Sequence, residues 1–223
     1  MFDPLAQPWQ RADAGLSSLP VDRMEPDFLR RTLAAPPVSW PGDPPYETEL
    51  RYPGRDGPPV AASVLMPLVM HDDGLRVMLT QRAAHLHDHA GQISFPGGRL
   101  ESWDASPEAG ALREAQEETG LASEYIDVLG CMPTYLTATG FSVTPVVGLV
   151  RPGFSLTPDS VEVAEVFEAP FPFLMDPANH RLHCAALPDG RTRHFYSMPW
   201  QDRFIWGATA AMLRNLYHLL RNA

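Results

Sequence analysis

Lysine is absent from the 223 residues: all 17 cations are arginine, set against 27 acidic residues for a net charge of −10. A chain this acidic lacks the clustered cations that phosphate-backbone contacts require, which excludes a general nucleic-acid binder. Cysteine is scarce. Cys131 and Cys184 alone do not make a disulfide framework. Long apolar runs are missing too. Val60–Met70 is the longest, it is broken by Ser63 and Pro67, and a membrane span needs about 20 apolar residues. The opening MFDPLAQPWQ has no basic stretch followed by an apolar one, so no secretory leader is expected. The closing Arg221-Asn222-Ala223 is not a peroxisomal address. These absences predict a cytoplasmic protein with neither nucleic acid nor membrane as partner.

What is present is the material of a folded chain. Hydrophobic residues make up 44%. Glycine and proline together stay below the level, about 25–30%, that marks low complexity. Half of the 24 prolines fall within residues 1–59. This part reads as a Pro-rich N-terminal extension with one short helix, around Asp27–Leu33. Pro36, Pro37, Pro41, Pro44 and Pro45 then stop any helix, because proline lacks the amide donor and clashes with the preceding turn. The segment Pro36–Pro59 reads as an irregular lead-in or a linker. Such an extension is able to cover a site, pack on a sheet or join two copies, so self-association stays open.

From residue 60 to 223 the texture is that of one domain. Val60–Met70 and Leu75–Thr80 flank His71-Asp72-Asp73-Gly74, a hairpin signal. Arg82–Gln92 is a polar loop with three histidines, and Ile93–Phe95 a short strand broken by Pro96-Gly97-Gly98. Tyr125–Cys131, Phe141–Val150 and Val161–Phe167 read as strands. Leu182–Leu187 and Thr192–Tyr196 flank Pro188-Asp189-Gly190, a second hairpin signal. A last helix over Ala208–Leu220 places Thr209, Met212, Leu213, Leu216, Tyr217 and Leu220 at 3–4 spacing, predicting one buried face. Many strands, few helices and no regular alternation predict an α+β fold with helices on a mixed sheet.

The clearest helix is Ser106–Thr119. Ser106 suits the N-cap, Pro107 the first helical position and Gly120 the stop. Its Glu114, Glu117 and Glu118 share one face at about 100° per residue. Ala111, Leu112, Ala115 and Thr119 form the opposite flank, predicted to be buried. The acidic cluster works against stability. Like charges at i, i+3 and i, i+4 cost about 0.2–0.5 kcal/mol per pair, and the last helical turn favours cations. Arg113 offsets part of this as an i, i+4 partner of Glu117. Three converging carboxylates otherwise suit a hard divalent cation, Mg²⁺ or Mn²⁺. A solvated acidic face is the plain alternative. The strand end and glycine pair Phe95-Pro96-Gly97-Gly98 just upstream tip the balance, since glycine lets the backbone come close to a phosphate or a metal.

The segment Gly97–Leu121, GGRLESWDASPEAGALREAQEETGL, resembles the Nudix box. Arg113-Glu114-Ala115-Gln116-Glu117-Glu118-Thr119-Gly120-Leu121 matches the second half of that motif in full. The first half is one residue longer than usual, so the family's first glutamate would align with Ala105 or Asp104. The longer loop resembles the coenzyme A pyrophosphatase subgroup. Upstream, Leu79-Thr80-Gln81-Arg82, then Leu86, His89 and Gly91 before Phe95-Pro96-Gly97-Gly98, resemble the motif of that subgroup. His87 stands where the subgroup usually has Arg, and Gln81 where it often has Lys. Both changes remove permanent positive charge.

The resemblance implies an α/β/α sandwich around a mixed sheet. It also implies Mg²⁺- or Mn²⁺-dependent hydrolysis of a small molecule, a nucleoside diphosphate linked to another group. For the subgroup this is coenzyme A or acyl-coenzyme A, cleaved to adenosine 3′,5′-bisphosphate and 4′-phosphopantetheine or its acyl form. ADP-ribose, a dinucleotide or a nucleoside triphosphate are the alternatives within the family, and a non-catalytic Nudix-fold binding module is the alternative outside catalysis. The resemblance makes Glu114, Glu118 and Glu117, with the Gly98 carbonyl, the expected metal ligands. Glu117, Glu114 and Arg113 are the expected catalytic group, with Arg113 orienting the glutamates. Arg82, His87, His89 and Gly97 are expected at the substrate. Glu162 and Glu165 are candidates for a downstream acid.

Overall fold

The computed structural model describes residues 2–36, 57–86, 89–187 and 190–223. Most of the Pro36–Pro59 lead-in, His87, and Pro188 and Asp189 of the second hairpin signal lie outside these residues. The chain opens with strand β1 (Trp9–Arg11) and helix α1 (Pro26–Ala34). Strands β2 (Val60–His71), β3 (Gly74–Arg82), β4 (Ile93–Ser94) and β5 (Gly97–Arg99) lead into helix α2 (Pro107–Thr119). Then come β6 (Ile126–Cys131), β7 (Tyr135–Leu136), β8 (Phe141–Val150), β9 (Val163–Pro170) and the single-turn α3 (Phe171–Leu174). Strands β10 (Arg181–Ala186), β11 (Thr192–Trp200) and β12 (Arg203–Trp206) precede the last helix, α4 (Ala208–Asn222).

The Asp72-Asp73-Gly74 turn folds β3 back on β2, with Leu68 opposite Val77 and His71 opposite Gly74. On its other side β2 runs parallel to β8, from Val60 opposite Phe141 to Val69 opposite Val150. The large sheet is therefore mixed, with path β4-β3-β2-β8-β6 and with β5, β7 and β9 attached to β2, β8 and β3. Strands β2 and β3 part company away from their turn. There the far half of β2 pairs with β5 through Ala62–Val64, and the far half of β3 pairs with β4 through Thr80 and Gln81. The segment from β4 to β5 fills that wedge, and Leu65 N–H donates to the Pro96 carbonyl at 2.9 Å. The fork carries the glycine pair to the mouth of the site.

Alternation along the strands sends side chains to two faces. Leu65 and Val69 of β2, Met78 of β3, and Val146 and Val150 of β8 meet Ala111 and Ala115 of α2. Met66, Leu68, Val77, Leu79, Val147 and Leu149 face the other core, with α1, α3 and α4. The architecture is α+β, helices packed on both faces of a mixed sheet. A second, antiparallel sheet, β1-β10-β11-β12, lies on the α4 side. Among the described residues no helix is long and apolar enough to cross a membrane.

Helix α4 departs from the single buried face that its pattern predicts. From Thr209 to Leu220 every residue except Asn215 is buried, Arg214 and His218 included. The N-terminal stretch is the reason. Tyr217 Oη donates to the Ser17 carbonyl at 2.7 Å, Arg23 donates to the Leu220 carbonyl at 2.8 Å, and Arg221 reaches the Gly15 carbonyl at 3.3 Å. Leu29 and Leu33 of α1 are buried in the main core. Trp9–Arg11 pair with Arg181–His183. Residues 9–33 are thus packed on the domain.

Candidate active site

Helix α2 begins and ends where its caps direct. Ser106 Oγ accepts from Ala109 N–H at 3.3 Å, and Gly120 turns left-handed at φ 74°. Between these caps the helix sets Glu114, Glu117 and Glu118 beside the glycine pair. A side chain at Gly98 would drive its Cβ to 2.5 Å from Glu114 Oε1. At Gly97 the Cβ would collide with the Ser63 carbonyl and the Val64 backbone. Glycine is therefore dictated at Gly97 by close approach to the sheet backbone, while a side chain at Gly98 would displace the Glu114 carboxylate.

Arg113 is the hub of the acidic face. Its Nη1 donates to Glu114 Oε1 at 2.9 Å and to Glu117 Oε2 at 2.8 Å. Its Nε and Nη2 fork onto Asp104 at 3.0 and 2.9 Å, and Nη2 also reaches the Arg99 carbonyl at 3.2 Å. A bidentate guanidinium–carboxylate pair fixes both position and plane. Asp104, which the motif alignment left without a role, is what anchors the arginine.

Glu118 differs from its neighbours. It is 6% exposed, and Arg82 is its cationic neighbour at 3.9 Å. Burial pushes its carboxyl up to about 8, against the pull of Arg82 and of the Gly97 backbone N–H and with the push of Glu114 and Glu162. Burial also raises the Glu114 carboxyl, with Arg113 opposing. A carboxylate buried with so little compensation is costly unless a cation joins it. Hard oxygen donors on Glu114, Glu118 and the nearby Gly98 backbone fit Mg²⁺ or Mn²⁺. Glu117 is the most open of the three, with a side chain 60% exposed. Among the described residues no three His, Cys, Asp or Glu side chains stand together as a group that could hold a metal ion, and Arg113 holds Glu114 and Glu117 as they stand.

A cavity of about 980 Å³ opens on the other side of the glycine pair. Arg82, His89, Gly97 and Gly98 all line it. The buried Nε of Arg82 makes no hydrogen bond among the described residues, which leaves a donor beside the acidic face. His89 takes a left-handed backbone, φ 59°, and its ring meets Gln92 Oε1 at 2.9 Å. Phe95 is 2% exposed and belongs to the core. The two downstream acids separate. Glu165 is forked onto Arg203 at 2.7 and 2.8 Å, which lowers its carboxyl. Glu162 lies close enough to Glu114 and Glu118 to raise both.

Several cavity residues carry no local signal in the sequence. Arg203 comes from β12, stacks 4.0 Å over the Phe167 ring and is paired across the cavity rim with Glu165. Arg99 lies over Phe141 at 5.5 Å. Phe204 and Trp206 bring aromatic surface from the small sheet. Arg99 follows the glycine pair directly, and that adjacency is the one signal that could have found it.

The family model described as NUDIX domain matches residues 59–179. An uncharacterized Nudix hydrolase, NudL, of Cronobacter sakazakii is 43% identical over 157 residues, covering 70% of this chain and 80% of that protein. NudL of Salmonella newport is 42% identical over the same length and shares. Among solved structures, a Nudix hydrolase from M. smegmatis, RenU, has a TM-score of 0.44 and 24% identity over 52% of this chain and 73% of that one.

Proposed function

The chain belongs to the Nudix family of hydrolases, and on that premise we propose that it cleaves the pyrophosphate of coenzyme A or acyl-coenzyme A to adenosine 3′,5′-bisphosphate and (acyl-)4′-phosphopantetheine. The observation that carries the proposal is the placement of the buried Glu118 and its neighbour Glu114 against Gly97–Gly98, at the edge of a cavity that also holds Arg82. The longer loop between the glycine pair and Arg113, and the Leu-Thr-x-Arg, Leu86, His89 and Gly91 pattern upstream, support the choice of substrate.

Glu114 and Glu118 would hold Mg²⁺ or Mn²⁺, with Glu117 and the Gly98 carbonyl as further oxygen donors. When bound, such an ion neutralises pyrophosphate oxygens and makes water a better nucleophile. The remaining work falls to the chain's own groups. Arg113, locked by Asp104, keeps Glu114 and Glu117 turned to one side. Arg82 presents a guanidinium to a phosphate oxygen, a pairing whose geometry suits it. His89 and Gly97 shape the same wall. A carboxylate of this cluster accepts the proton of the attacking water, which requires hydrogen-bond reach of that water. Of the two downstream acids, Glu162 is the candidate for this role, since its charge acts on Glu114 and Glu118, while Glu165 is committed to Arg203.

The test is a substrate profile at slightly alkaline pH with Mg²⁺ or Mn²⁺. Coenzyme A, acetyl-coenzyme A, ADP-ribose, NADH and nucleoside triphosphates are compared, with products resolved by mass. Adenosine 3′,5′-bisphosphate from coenzyme A, well above turnover of the others, is expected. A clear preference for ADP-ribose or a dinucleotide overturns the substrate and keeps the acidic helix.

A further inference from the structure

The N-terminal residues run into the cavity. Phe2, Pro4 and Leu5 line it together with Phe204, Trp206 and Gly207 of the small-sheet side. The segment is held from behind. Trp9–Arg11 pair with β10, Cys184 N–H donates to the Pro8 carbonyl at 3.1 Å, and His183 Nδ1 meets the Gln7 carbonyl at 3.2 Å. It is also folded on itself. Leu5 N–H donates to Asp3 Oδ1 at 3.0 Å, and Gln7 Nε2 donates to the Asp3 carbonyl at 2.7 Å. This turn delivers Phe2 against Phe195, ring centroids 5.9 Å apart and nearly perpendicular, and beside Trp206 at 6.4 Å. The Arg193 guanidinium lies 5.2 Å from the Phe2 ring and 5.8 Å from those of Phe195 and Trp206.

We infer that residues Phe2–Leu5 form a specificity wall for the arm of the substrate that is not the nucleotide, and that this arm is aliphatic. The inference rests on the hydrolase reading above and deepens it. Three observations favour an aliphatic arm over a flat base. The rings of Phe2, Phe195 and Trp206 are engaged with one another and with Arg193, which leaves less of them for stacking on a base. The most open apolar side chain of the segment is aliphatic: Leu5 is 67% exposed against 36% for Phe2, and Pro4 stands beside it. The cavity, at about 980 Å³, lies at the upper end of the range of about 300–1,000 Å³ for ligand pockets, which leaves room beyond a nucleotide. The segment leads into β1 of the small sheet, whereas Gly97 and Gly98 belong to β5 of the large one, and both groups line the same cavity. A ligand with its phosphates at Gly97–Gly98 and Arg82 can extend its arm within that cavity to Leu5.

The test compares the full chain with Leu5→Ala, Phe2→Ala and a deletion of residues 2–5 that leaves β1 intact. Two readouts are taken: the ratio of kcat/KM for acyl-coenzyme A to that for ADP-ribose, and calorimetric binding of 4′-phosphopantetheine, which has the arm and no nucleotide. The ratio is expected to fall about tenfold, carried by KM, and the 4′-phosphopantetheine Kd to rise by a similar factor, since burying an aliphatic side chain against a ligand is worth about that much. An unchanged ratio and Kd in Leu5→Ala, whose exposed side chain has no packing role, overturns the wall. So does an equal loss on both substrates. If the unaltered chain hydrolyses no coenzyme A derivative, the substrate reading fails by itself. Binding of 4′-phosphopantetheine that weakens in Leu5→Ala then still supports the wall, and its absence in the unaltered chain overturns it.

Discussion

Replacing Glu118 by glutamine is expected to stabilise the metal-free protein while abolishing turnover. The carboxyl stands at about 8 in the fold against 4.5 as its ordinary value, because burial outweighs the pull of Arg82. With the folded value raised, the unfolded chain binds fewer protons than the folded one between those limits. Stability is therefore greatest below about pH 4.5 and falls as pH rises toward 8. At pH 7 the penalty already present is on the order of 3 kcal/mol. Glutamine removes the titration but also leaves Arg82 without its partner, so a net gain of about 1–3 kcal/mol is expected. In a chain of this size each kcal/mol moves the melting temperature by about 2–4 °C. Thermal melts at pH 5, 7 and 8, in chelator and then in Mg²⁺, read this out. The variant should melt higher than the parent in chelator at pH 7 and 8, with the gap closing at pH 5. Only the parent should gain from Mg²⁺. A variant that melts lower in chelator at pH 8, or gains as much from Mg²⁺ as the parent, refutes the reasoning.

Gly98→Ala should leave the melting temperature nearly unchanged, since its Cβ meets the flexible end of Glu114, yet lower kcat/KM by at least about tenfold by displacing that carboxylate; steady-state kinetics with a Mg²⁺ titration check it. Arg113→Lys cannot fork onto Asp104 while reaching Glu114 and Glu117, so it should lower kcat by at least about tenfold, and Asp104→Asn should share the defect in the same assay. Leu29→Ala, at a fully buried position of α1, should cost about 2–5 kcal/mol in urea unfolding. A cost near zero would mean that the N-terminal helix is not part of the cooperative core.

Where local chemistry dictates structure, the sequence was readable. Ser106, Pro107 and Gly120 bracket α2 as their capping roles require, and the Asp72-Asp73-Gly74 turn sets the hairpin of β2 and β3. The acidic face of α2 follows from helical spacing alone. Three features were hidden for separate reasons. Strand β5 consists of Gly97, Gly98 and Arg99, residues with little strand preference, and exists because the fork of β2 and β3 needs a filler. Strand β12 follows a tight turn at Gln201, φ 54°, where no glycine announces the reversal. The all-round burial of α4 depends on contacts with Ser17 and Arg23, some 200 residues away in the chain. The site divides in the same way. Arg113 and its glutamates are neighbours on one helix, whereas the Arg203–Glu165 pair and the Phe2–Leu5 wall are made by tertiary contacts that periodicity does not record.

The most direct test of the central claim is the release of adenosine 3′,5′-bisphosphate from coenzyme A, followed by mass across a Mg²⁺ titration for the parent and for Glu114→Gln. The account predicts release that saturates with Mg²⁺ in the parent and falls to background in the variant. Release that is independent of Mg²⁺, or that survives Glu114→Gln unchanged, would contradict it.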